Sequence, residues 1–466
     1  MSPLVPLFSL AAAVWLVHLL RHGTVPLFGL VVLVAGTVFG PSFFAIDGPF
    51  QISLDRVLWV CLIAFFIVQR RLGETDPKRF SRADWLLLAL VAVTAVSSQR
   101  SGTVPDGSSP LARWIFYIFL PAGMYAIARS ATLRSSDLRL VSSGLIGLGV
   151  YLGIVAVLET SGAHALVFPR YIVDPEIWEF LGRARGPLLN PTGNGIVLTV
   201  ALGAAVMRWL EPGRIGKLGY GAAVLVILAG CGATLTRCVW LGAILLLGLI
   251  ALHYAPRWLR VWSLAATVLV AGGMGMLYKD QLLRIKRDEH LSASAAEESI
   301  QLRPLLAVIA WEMFQDRPLL GHGYGHYFAH NQAYTQIRDW ELPLQTAGPY
   351  MQHNIFLSLL VDCGLIGLAL LVGLLAWWTA CGWSLYRNTT IDPEARRLGM
   401  VMVAMTVGYL ASGMFQDVTV IPMVHMYLMF IAGLTMGVHS RGGVVAKSAS
   451  AAELPERRTQ SLALST

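Results

Sequence analysis

Charge is scarce in this chain: Asp, Glu, Lys and Arg together make up 13% of its 466 residues, while 56% are hydrophobic. With a mean hydropathy of +0.62, that balance excludes an ordinary soluble domain. Cysteine is scarce too. Cys61, Cys231, Cys238, Cys363 and Cys381 lie within or beside apolar stretches and show no paired spacing. This argues against a disulfide framework or zinc ribbon and reads as small core residues. No stretch interleaves basic residues with aromatics, so the net charge of +8 describes no nucleic-acid partner. The first apolar run, 3–20, lacks a basic start and a small-residue cleavage site, and is expected to remain as a span.

What the chain has instead is apolar runs from end to end. They fall at 3–20, 25–40, 54–68, 85–96, 111–128, 138–158, 188–210, 218–234, 238–252, 261–277, 355–378, 398–414 and 420–436. Each is long enough, with tilt, to cross a hydrocarbon core of about 30 Å, which predicts about 12–13 transmembrane helices. A lipid-embedded backbone must satisfy its own hydrogen bonds. The expected fold is therefore all-α: a polytopic integral membrane helical bundle with one large external loop. Residues 1–158 form its N-terminal helices, 159–438 the catalytic region with external loops at 159–187 and 278–352, and 439–466 a disordered cytoplasmic tail.

Orientation follows from Lys and Arg in the short loops. They cluster at Arg70 to Arg82, Arg129 to Arg139, Arg208 to Lys217, Arg257 to Arg260 and Arg387 to Arg397. These alternate loops belong to the cytoplasm. Residues 99–110, 160–187, 235–237 and 278–352 then lie outside. Within the last of these, 292–312 predicts an amphipathic helix on the membrane surface. His322, His326 and His330 are spaced by four, but Gly321, Gly323 and Gly325 oppose a helix there, so no metal site is expected. Trp311, Phe314, Tyr324, Tyr327, Phe328, Tyr334, Trp340 and Tyr350 read first as an interfacial belt. Asp362 is a carboxylate within a span, expected either to serve function or to pair with a buried Arg.

Four motifs share the outer side. Arg183-Ala184-Arg185-Gly186-Pro187 precedes Asn190-Pro191; Thr234-Leu235-Thr236-Arg237 forms a tight turn; Arg303 stands fifteen residues before Pro318 and is followed by Gly321-His322-Gly323-Tyr324-Gly325; and His353-Asn354 is followed, after nine residues, by Gly364-Leu365-Ile366-Gly367. In this order they resemble the O-antigen ligase and polymerase superfamily, bacterial membrane glycosyltransferases that use undecaprenyl-diphosphate-linked glycans. Thr236 replaces the usual Ser of the family's Thr-x-Ser-Arg turn. The half before about Leu158 matches only in hydropathy.

The resemblance implies a GT-C-like bundle in the bacterial inner membrane, multi-pass, with its active site facing the periplasm. It implies a glycan donor on undecaprenyl diphosphate, inversion at the transferred carbon, and an acceptor hydroxyl on a glycan, lipid A-core or protein. Physical chemistry gives each residue a task. Arg is always charged and its planar fork suits phosphate oxygens. Arg303 and Arg237, with Arg183 or Arg185, form a candidate clamp for the departing diphosphate, needing neither cofactor nor metal; no Asp-x-Asp motif faces outside. Arg185 has an alternative, pairing with Asp174, Glu176 or Glu179 in its own loop. His353 is the candidate base or orienter for the acceptor hydroxyl, and Asn354 either places the acceptor or caps the next helix. Tyr324 is a candidate substrate contact, while Gly364 and Gly367 read as close-packing positions.

The motif spacing favours a ligase of lipopolysaccharide or other cell-surface polysaccharide, with a polymerase of the same superfamily as the alternative. A reading of another class is a multi-span transporter or flippase for lipid-linked solutes. Transporters place charges or broken helices near the bilayer midplane, often in two related halves. Here the distinctive charges sit at one face, and no internal repeat is apparent.

Overall fold

A computed structural model describes residues 23–445 except 42, 44, 47–51, 100–108, 212–213, 257, 263–264, 266–268, 270–292, 338–339 and 341. The expected span over 3–20, most of that over 261–277, and the tail from 446 onward lie outside the described residues.

The fold is all-helical apart from a hairpin of two-residue strands, β1 (Ala45–Ile46) and β2 (Ile52–Ser53). In chain order the helices are α1 (Val25–Val38), α2 (Leu54–Arg71), α3 (Arg82–Ser98) and α4 (Pro110–Ser130). Next come α5 (Ser135–Thr160), α6 (Pro191–Trp209), α7 (Arg214–Ala233) and α8 (Arg237–Tyr254). The outer segment holds α9 (Ala293–Asp316) and α10 (Tyr327–Thr335), and the chain closes with α11 (Ile355–Arg387), α12 (Pro393–Gly413) and α13 (Pro422–His439). Pro110–Ser130, Ser135–Thr160, Gly216–Ala233, Arg237–Tyr254, Ile355–Arg387 and Pro422–His439 are long and apolar enough to cross a membrane. These six make the chain a polytopic helical membrane protein. They number fewer than the crossings read from hydropathy, because α1 and α3 are shorter and α2, α6 and α12 more polar than that criterion admits.

Local chemistry starts the helices where the motifs predict. Asn190 caps α6, its Oδ1 accepting the N–H groups of Thr192 and Gly193 at 3.0 Å, and Pro191 fills the first turn. Asp392 and Pro393 do the same for α12, with Glu394 N–H donating at 2.7 Å. Nearly every side chain of α6 is buried, as in α13, so these two helices form the centre. Small residues permit this: a Cβ on Gly195 would overlap Val239, which brings α6 against α8.

The basic loops meet at one end. Arg129 pairs with Asp84 at 2.6 Å, Arg441 with Asp76 at 2.9 Å, and Glu394 receives Arg139, Arg208 and Arg397 at 3.2, 2.9 and 2.6 Å. At the opposite end the outer segment has its own small core. Leu302, Leu305, Leu306, Ile309, Ala310 and Met313 recur at helical spacing on α9 and pack with Tyr327, Leu344 and Val361. The predicted amphipathic helix is therefore present, but protein rather than the membrane surface covers this part of its apolar face.

Candidate functional site

Arg183 and Arg185 sit two residues apart on the loop between α5 and α6, and the structure separates their tasks. Arg185 is fully enclosed. Its guanidinium donates to the carbonyl oxygens of Ile172 (2.8 Å), Glu179 (2.7 Å), Asp174 (3.2 Å) and Ile177. The carboxylate of Glu159, at the end of α5, lies 3.9 Å away and accepts the N–H groups of Arg185 and Gly186 at 3.2 Å each. The expected partners were the carboxylates of Asp174, Glu176 or Glu179. Backbone carbonyls serve instead, because a buried fork with five donors is satisfied by a loop wrapped around it. Arg185 thus organises the loop from within. Gly186 has φ +56°, and a Cβ there would lie 2.8 Å from Asn194, which accounts for the glycine of Arg-x-x-Gly.

Arg183 reaches the turn between α7 and α8. It donates to Thr236 Oγ1 at 2.6 Å and to the Thr234 carbonyl at 3.4 Å, with its guanidinium 5.3 Å from the centre of the Phe180 ring. The loop backbone is stitched to the same place, Ala184 N–H donating to the Ala233 carbonyl at 3.1 Å. Among the described residues, the non-glycine positions with left-handed φ are Phe180, Leu189 and Leu235, at +59°, +51° and +48°. All three lie in these two connections. Such conformations cost about 1–3 kcal/mol each and concentrate at functional sites.

Arg237 opens α8 immediately after the threonine that Arg183 holds. Its neighbour Cys238 lies within electrostatic reach of both Arg183 and Arg303, and hydrogen-bonds with Ser412 and Thr192. Arg303, on α9, also acts on His353. Burial first, and the Arg303 charge second, hold the His353 imidazole below its ordinary value of 6.5. His353 is therefore neutral at pH 7, with a lone pair able to take a proton. The structure thus brings Arg183, the start of α8, Arg303 and His353 into one electrostatic neighbourhood.

Asn354 caps α11: its Oδ1 accepts the N–H groups of Phe356 (2.8 Å) and Leu357 (3.1 Å), and its amide donates to the Met414 carbonyl at 3.1 Å. That is the capping option. Gly364 is more than a close-packing position. It has φ +64° and ψ −164°, which breaks α11 ten residues after Asn354. The break frees groups that the glycine-rich stretch takes up. His322 and Gly323 N–H donate to the carbonyls of Val361 and Asp362 at 2.8 and 2.9 Å, and Leu365 N–H donates to that of Pro318 at 2.8 Å. A Cβ on Gly364 would overlap the Leu319 backbone. Two motifs separated in sequence are thus the two sides of one joint.

Asp362 belongs to this joint rather than to an Arg pair. Its Oδ2 accepts Gly325 N–H at 3.0 Å, and Ser97 of α3 bridges the Asp362 carbonyl and Tyr324 N–H at 3.2 and 3.0 Å. Tyr324 is buried, and its electrostatic neighbours are Asp362, Arg113 and Asp417. It stands in the wall of the joint, not on an open surface; Tyr327 is buried too, unlike the exposed Trp311, Trp340 and Tyr350. The rings of His322 and His330 meet at 5.4 Å, although the chain between them is not one helix. Among the described residues no group of three His, Cys, Asp or Glu is placed to hold a metal.

Sequence reasoning missed Glu159 and Phe180. A signal existed for Glu159, a carboxylate closing an apolar run. None existed for Phe180, whose role depends on the fold of its loop.

Residues 222–372, which contain Arg237, Arg303, His353 and Asn354, match a family model described as O-antigen ligase. This match supports the O-antigen ligase superfamily for residues 222–372. No curated protein matches the chain. The match supports, broadly, a function of the O-antigen ligase or polymerase type with glycosyltransferase-like chemistry.

Proposed function

We propose that this chain is a ligase of the superfamily. It moves a glycan from undecaprenyl diphosphate to an acceptor hydroxyl at the outer face of the bacterial inner membrane, in lipopolysaccharide or other cell-surface polysaccharide assembly. One observation carries the reading: Arg303 acts both on His353 and on the start of α8, where Arg183 also arrives. A cationic site for the leaving diphosphate and a neutral imidazole for the acceptor are thereby neighbours.

In this reading the neutral His353 takes the proton of the acceptor hydroxyl as its oxygen attacks the anomeric carbon. The bond from that carbon to the diphosphate oxygen breaks, and the electron pair leaves with undecaprenyl diphosphate. Arg183, Arg237 and Arg303 stabilise the departing charge; a preorganised donor of this kind is worth about 10²–10³ in rate. Attack opposite the leaving group inverts the carbon. Arg185, Asn354 and Tyr324 act by holding the loop, the helix start and the joint. The basic end of the bundle faces the cytoplasm by the positive-inside rule, which puts these arginines outside.

Purified full-length protein, given undecaprenyl-diphosphate glycan and an acceptor, is expected to form the glycosylated acceptor. No transfer, with movement of the lipid-linked glycan across a bilayer instead, points to the transporter class. Glycans from cells lacking the protein separate the remaining options. Intact chains left on undecaprenyl mark a ligase, and single unpolymerised repeats a polymerase.

A further inference from the structure

A cavity of about 470 Å³ lies between α1, α2, α4, the 179–190 stretch and the start of α13. Its volume is within the range of small-molecule pockets. His353, Arg237 and Arg303 are not among its walls. Phe180 joins it to the site described above: the ring that lines the cavity is the one beneath the Arg183 guanidinium. We propose that this cavity is a saccharide subsite, taking a neutral, hydroxyl-bearing ring of a glycan substrate. The proposal rests on the glycan-transfer reading and names where one sugar of that glycan sits.

Two polar atoms in its walls argue for such a ligand. Asp55 Oδ1 and Trp59 Nε1 are both shielded from solvent and have no hydrogen-bond partner among the described residues. One is an acceptor and the other a donor. Leaving such a group unsatisfied on burial is unfavourable. A hydroxyl satisfies either, whereas a hydrocarbon chain satisfies neither.

Charge disfavours the lipid's other end. Among the described wall residues the cation is Arg56, 4.1 Å above the Phe116 ring, and it shares the cavity with two carboxylates, Asp55 and Glu179. A wall with more carboxylates than cations repels a diphosphate. It suits a neutral polyol, whose hydroxyls bridge carboxylate and guanidinium. Trp59, Phe116 and Phe180 supply flat apolar faces for the C–H side of a sugar ring. Gly36 keeps the floor open, since a Cβ there would press on Asp55 and Met423.

The ring has two sources, the donor glycan next to its diphosphate or the acceptor. Binding of three probes to the purified full chain separates them: undecaprenyl-diphosphate N-acetylglucosamine, sugar-free undecaprenyl diphosphate, and a delipidated core oligosaccharide. Asp55→Ala and Trp59→Phe are each expected to weaken one sugar-bearing probe about ten-fold, corresponding to about 1.4 kcal/mol. Binding of the sugar-free lipid stays unchanged, and the probe that weakens names the source. Trp59→Phe keeps an aromatic ring in place, so its effect is separable from misfolding. Equal weakening of the sugar-free lipid, or unchanged binding of both sugar probes, overturns the proposal. If the selective loss appears in a protein that transfers nothing, the subsite stands and the transfer reading falls.

Discussion

The two ends of the bundle both gather arginine, but they hold it differently. At the basic-loop end, Glu394 is buried and receives three guanidiniums, while Asp84 and Asp76 each take one. Carboxylates there cancel charge and tie loops together. At the other end the hydrogen bonds of Arg183 to Thr234 and Thr236 run to neutral oxygens, whereas Arg185 has the Glu159 carboxylate 3.9 Å away. Neutral acceptors fix a guanidinium without neutralising it, which preserves a positive field for an anionic ligand. The same residue type is thus structural cement at one face and an electrostatic tool at the other.

The largest test of this difference is in rate. Arg303→Ala is expected to lower kcat by about 10²–10³ with little change in thermal stability, measured by single-turnover transfer beside a melting curve. His353→Ala belongs to the same class, with a loss of about 10²–10⁴. Normal turnover in both folded variants overturns the site assignment. The opposite signature is expected at the basic end. Glu394→Ala strands clustered guanidiniums and destabilises by about 3–5 kcal/mol, leaving kcat of the surviving folded protein intact. A kcat loss matching that of Arg303→Ala would erase the distinction between the ends.

Gly364→Ala tests the joint and is expected to cost about 1–3 kcal/mol or more, from the positive φ and the overlap with Leu319. Proteolysis of the outer segment would report it. The smallest effect concerns pH. The active form of His353 is neutral, so activity persists above its pKa and falls as pH drops through it, at a midpoint below 6.5. Arg303→Gln removes one cause of the depression and is expected to move that acid limb upward in the residual activity. A limb that stays in place, measured by a pH–rate profile, would detach Arg303 from His353.

Much of the frame was legible in the sequence because hydropathy and the positive-inside bias are local properties. The expected span starts at Val25, Leu111 and Cys238 fell within a residue of the observed helix starts at Val25, Pro110 and Arg237. Capping was one of the two readings of Asn354 because it needs only the next three residues. Arg185 was not settled so locally. Its choice between substrate and loop depended on Glu159 and the carbonyls of 172–179 folding around it. Gly364 misled for a related reason: a glycine in an apolar helix looks alike whether it packs closely or breaks the helix.

By itself, then, the sequence determined the membrane class, the basic end of the bundle and the motifs of a superfamily, since each follows from composition or from residues adjacent along the chain. Only the tertiary structure decided which arginine faces inward, how the glycine stretch seats in the broken helix, and that Phe180 stands between Arg183 and a cavity. These are contacts between segments far apart in the chain, such as Arg183 with Thr236 and Gly325 with Asp362, and packing alone brings them within hydrogen-bonding distance.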